Sequence, residues 1–62
     1  MSLLGLVGED VKVKLLDGSV WGRCHFLGAY PTHIWIRDEY GREIALMLGT
    51  ISFIEKLQEL KG

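Results

Sequence analysis

Apolar and polar residues alternate over most of this chain, and the alternation has the two-residue period of half-buried strands. From Val11 to Leu16, Val11, Val13 and Leu15 point one way, and Lys12, Lys14 and Leu16 the other. Asp17-Gly18 then reads as a hairpin turn, because glycine accepts the positive φ such turns demand. Ser19 to Leu27 is the second strand, with Val20, Gly22, Cys24 and Phe26 on one face and Trp21, Arg23, His25 and Leu27 on the other. Gly22 lies mid-strand, where glycine marks a bulge or a sharp bend. Gly28 to Thr32 turns a corner around Pro31, which has no N–H to give a ladder. A hairpin centred on Tyr30 would set Phe26 across from Ile34, Cys24 across from Ile36 and His25 across from Trp35.

His33 to Arg37 is the third strand, Arg42 to Leu48 the fourth and Ile51 to Glu55 the fifth. Asp38-Glu39-Tyr40-Gly41 and Gly49-Thr50 connect them. Ser2 to Glu9 is short and apolar; it reads as a short helix or irregular cap over an open end of the sheet, with Gly8 as a stop. Ile54, Leu57 and Leu60 share a helical spacing, so 56–60 reads as a short terminal helix that needs packing to persist. The expected fold is mostly β: one domain over 1–62, a five-stranded, strongly bent antiparallel sheet or partly open barrel. Its inward set is Val11, Val13, Leu15, Val20, Cys24, Phe26, Ile34, Ile36, Ile44, Leu46, Ile51 and Phe53.

Composition narrows what such a sheet can do alone. A chain of 62 residues buries only roughly 60% of its unfolded surface, which leaves it marginal without a staple or a partner. A single cysteine excludes an internal disulfide, and one cysteine with two histidines makes a poor zinc core. Self-association is the remaining source of burial, and 48% apolar residues agree with it. No apolar run is long enough to span a bilayer. Met1 to Val7 lacks the basic flank and cleavage site of a signal peptide. A free thiol without an export signal points to a reducing, cytoplasmic location. The net charge of −1 argues against a strong non-specific nucleic-acid binder.

Three stretches, VKVKLLDGSVWG, HIWIRDEYGREIAL and GTISFIE, together resemble the Sm-like family of SH3-like small β-barrels, its Hfq branch in particular. The resemblance covers roughly Leu3 to Glu55. It implies an RNA-binding homo-oligomeric ring, hexameric or heptameric, in which the fourth strand of one subunit pairs with the fifth of the next. The residues this brings to the subunit interface are Ile44, Leu46, Met47, Leu48, Ile51, Phe53 and Ile54. Two departures stand out. Gly22 follows Gly18 by four residues where the family has five, which requires a bulge or register change. Met47-Leu48-Gly49 occupies the place of the Hfq-type Tyr-Lys-His, so its basic pair is missing.

Several residues carry a chemical reading beside a plainer one. Trp21 and Trp35, on the face opposite the expected core, suit base stacking or, the favoured reading, a second small core or a subunit contact. His25 and His33 share that face as ligand contacts or ordinary strand residues. Tyr30 in the corner loop would face a pore in the ring, or be a solvated turn residue. Lys12, Lys14, Arg23 and Arg37 form a phosphate-binding strip or pair with Asp10, Asp38, Glu39 and Glu43 across strands. Cys24 is inward and inert, and no nucleophile–base pair can be assembled, so no enzyme is expected. The leading expectation is an RNA-binding ring using Tyr30, His33, Trp35, Arg37, Lys12 and Lys14. No cofactor, metal, membrane or small-molecule substrate is expected. The alternative is an SH3-like protein-interaction or structural module with no nucleic-acid role.

Overall fold

The computed structural model describes residues 3–57. Five strands form one antiparallel sheet: β1 (Asp10–Leu15), β2 (Val20–Ala29), β3 (His33–Arg37), β4 (Glu43–Met47) and β5 (Ile51–Lys56). Their order is β4-β3-β2-β1-β5, so β4 and β5 are the two edges and the sheet does not close on itself. A 3₁₀ turn, Leu3–Leu6, precedes β1, and another, Leu48–Thr50, joins β4 to β5. No helix among the described residues is long and apolar enough to cross a membrane. The helix expected over 56–60 lies largely outside the described residues; Lys56 itself ends β5.

Two hairpins share one design. Leu15 N–H donates to Ser19 O and Gly18 N–H to Leu15 O. Asp38 N–H donates to Arg42 O and Gly41 N–H to Asp38 O. Each is a three-residue loop whose last member is a glycine at positive φ, Gly18 at 93° and Gly41 at 84°. Leu16 therefore belongs to the first loop, not to β1. The β2–β3 corner is tighter than the sequence suggests. Tyr30 N–H donates to His33 O, so only Pro31 and Thr32 turn, and Gly28 and Ala29 extend β2.

The core is Val11, Val13, Cys24, Phe26, Ile34, Ile36 and Leu46, with Leu3, Leu6, Leu15, Trp21, Ile44, Ile51 and Ile54 packed against it. Two residues of the expected inward set are instead outside: Val20 is 50% exposed and Phe53 44%. Trp21 and Ile54 take their places. The cause is a pair of bulges. On β1–β2, Val11 pairs with Cys24 but Val13 with Trp21, so β2 carries one extra residue at Gly22-Arg23. On β1–β5, Leu15 pairs with Ile51 but Lys14 with Phe53, leaving Ser52 extra. A one-residue slip exchanges the two faces of everything beyond it. A third bulge, at Leu27, separates Phe26↔Ile36 from Gly28↔Trp35. The corner at Pro31-Thr32 and this bulge together replace the Phe26–Ile34, Cys24–Ile36 and His25–Trp35 pairings expected from a turn at Tyr30, and His25 faces Arg37.

Candidate functional site

Ladder register brings three of the expected contact residues onto the outer face of β2, β3 and β4. His33 pairs with Met47, Trp35 with Ala45 and Arg37 with Glu43. Residues directly opposite in an antiparallel pair share a face, and this one faces away from Ile34, Ile36 and Leu46. Tyr30 reaches the same surface from the corner. Its ring stacks on His33 with centroids 4.9 Å apart and planes 21° from parallel. It also lies close against Gly28, where an added Cβ would come within 3.2 Å of Tyr30 Oη. Trp35 stands between two small cross-strand neighbours, Gly28 and Ala45, and is half-buried.

Glu43 ties the other end of the strip. Trp35 Nε1–H donates to its Oε1 at 3.1 Å and Arg37 Nη2 to its Oε2 at 3.2 Å. These two donors, the indole first, hold Glu43 below the usual carboxylate range. Thr32 Oγ1 lies 3.0 Å from His33 Nδ1.

Lys12 and Lys14 sit elsewhere. Lys14 pairs with Val20, at the opposite end of β2 from Tyr30, about 30 Å along an extended strand of that length. Neither lysine has an ion-pair partner among the described residues, whereas all three arginines do: Arg23 with Asp10, Arg37 with Glu43 and Arg42 with Asp38. Of the residues expected at a subunit interface, Ile44, Leu46, Leu48, Ile51 and Ile54 face the chain's own core. Met47 and Phe53, one on each edge strand, are open to solvent.

No protein-family model, curated protein or solved structure matches the chain.

A polar cleft of about 530 Å³ opens where β1 begins, lined by Glu9, Asp10, Arg23, His25, Lys56 and Leu57 among others. Asp10 is its hub, accepting from Arg23 Nη1 at 2.8 Å and lying 3.1 Å from His25 Nδ1. The sequence offered Asp10 only as one of several partners, because the bulge that brings it opposite His25 has no motif beyond Gly22. Among the described residues no group of His, Cys, Asp and Glu could hold a metal ion. Cys24 is buried, and burial first, with Asp38 and Glu39 nearby, pushes its thiol up; it offers no nucleophile at neutral pH.

Proposed function

We propose that this chain is a subunit of an Sm-like small β-barrel ring that binds single-stranded RNA on the outer face of β2–β4. The observation that carries the reading is the aromatic strip of Tyr30, His33 and Trp35. Two of its rings are already stacked, and the third has small residues, Gly28 and Ala45, directly across on both neighbouring strands. Flat, uncrowded rings in a row suit unpaired bases, each such stack contributing about 1–3 kcal/mol without reading sequence. The bent, barrel-like form is part of this proposal. A ten-residue β2 with bulges near both ends suits strong bending, since bulges increase local twist. Ring assembly draws support from the two edges, β4 and β5. Each presents a ladder that invites a partner strand, and Met47 and Phe53 lie on them. Lys12 and Lys14 supply phosphate contacts away from the strip.

A second reading is favoured by the ion pairs. With every arginine matched to a carboxylate and a net charge of −1, the surface lacks the basic excess typical of nucleic-acid binders. The same aromatic strip would then dock a proline-rich or extended peptide.

Light scattering combined with titration of labelled U-rich and A-rich RNA at two salt concentrations separates the two. A ring whose RNA binding weakens with salt and is lost in Trp35→Ala supports the first reading. A monomer indifferent to RNA overturns it.

A further inference from the structure

One row crosses four strands on the outer face: Glu43 on β4, Arg37 on β3, His25 on β2 and Asp10 on β1, each directly opposite the next. The two ends are acidic. Between them stand Arg37 and His25, whose Cβ atoms in such a pair lie about 4.5–5.5 Å apart. Arg23, on β2, joins from the side through Asp10.

The charges of this row nearly cancel. Asp10 answers Arg23, and Glu43 answers Arg37. The adjoining Glu9 and Lys56, 3.8 Å apart, answer each other. Imidazole is the side chain whose charge changes between about pH 5 and 8. With the other charges of the row matched, a proton on His25 would leave it net positive.

Geometry makes the change directional. Asp10 at 3.1 Å from Nδ1 holds the tautomer with the proton on Nδ1, as carboxylates do for metal-bound histidines. Nε2 has no partner among the described residues. In the neutral ring it presents a lone pair, which repels an anion. In the protonated ring it becomes a second donor, on the face it shares with Arg37 and one bulge away from Trp35.

We propose that His25 is a proton-gated contact for a phosphate group of bound nucleic acid, working with Arg37; the identity of the ligand rests on the RNA reading above. A base lying on Trp35 would leave its backbone within reach of this pair, since Arg37 lies two residues along the same face of β3, opposite His25. Binding then tightens as pH falls, because the contact exists only in the protonated ring.

The test uses the full chain with two probes. Labelled RNA reports nucleic-acid binding, and sulfate, a dianion throughout the range, reports the anion contact through the NMR signals of the His25 ring. At about pH 5.5, RNA binds about three- to tenfold tighter than at about pH 7.5, and sulfate moves the His25 signals only at the lower pH. His25→Gln abolishes the difference at the weaker affinity, and His25→Lys abolishes it at the tighter one. A His25→Gln protein that retains the full pH dependence, or a His25 ring that ignores sulfate at about pH 5.5, overturns the proposal. RNA that binds at neither pH while sulfate still moves the ring overturns the RNA reading alone and leaves the anion contact standing.

Discussion

Val13 of β1 stands directly across from Trp21 of β2, and this pairing turns the indole toward the core. Counting alternate residues back from the buried Cys24 turns it the other way. The extra residue at Gly22-Arg23 makes the difference, and it splits two tryptophans that look equivalent in sequence into one packed against the core and one on the outer face.

The two tryptophans should therefore fail differently. Trp21→Ala is expected to cost roughly 2–4 kcal/mol, as large-to-small changes against a core do. Trp35→Ala should cost less than about 1.5 kcal/mol, since it loses one exposed hydrogen bond and half-buried area. Urea unfolding of both variants checks the order; equal losses would contradict the assigned faces.

Gly28→Ala tests the aromatic strip without touching its rings. The added methyl would sit 3.2 Å from Tyr30 Oη, and Tyr30, half exposed, can swing aside at little cost. Stability should change by less than about 1 kcal/mol, while the Tyr30–His33 stack opens. Loss of the ring-current shifts on His33 would show it, and RNA affinity should fall with them.

Acid stability should report on Asp38. Its carboxylate is only 4% exposed and accepts from the N–H groups of Tyr40 and Arg42 and from Arg42 Nε. Burial opposes its charge, but these donors, led by the Arg42 N–H, outweigh it and hold the group below its ordinary value of 3.8. The folded chain thus takes up this proton less readily than the unfolded chain. The stabilisation is complete above that ordinary value and is lost as pH falls through the lower, folded one. Asp38→Asn should lower Tm at neutral pH and flatten the acid limb of a Tm–pH curve. Asp17 and Glu43, also held low, leave a residual slope.

Edge residues should govern assembly. Met47→Lys and Phe53→Lys place a charge on each open edge, a device that discourages strand addition. Light scattering is expected to show a multiple of the chain mass for the parent protein and a single-chain mass for the double variant. A parent protein that is already monomeric would remove the ring from the proposal.

Much of this architecture was legible beforehand. All five strands fall within a few residues of where alternation and turn glycines set them, and Gly18 and Gly41 adopt the positive φ their turns demand. What alternation could not supply was parity. Bulged residues such as Ser52 and Leu27 are chemically ordinary, so nothing marks them, and each one reverses the side on which its neighbours fall. Val20, Trp21, Phe53 and Ile54 were exchanged for that reason. The Tyr30, His33, Trp35 and Arg37 strip was recoverable because β3 itself contains no bulge. The Asp10–His25 pairing was not, since it depends on two strands meeting beyond one.

The bulges also constrain how the protein can change length. Losing a single residue at Gly22-Arg23 would leave Val11 opposite Cys24 and Val13 opposite Trp21, and would restore plain alternation between them with Trp21 still turned inward. Losing one from the regular run Cys24 to Phe26 would instead turn the residues on one side of the gap to the wrong face. Gaps in β2 are therefore more tolerable at the bulged positions than beside them, although both look like single-residue edits.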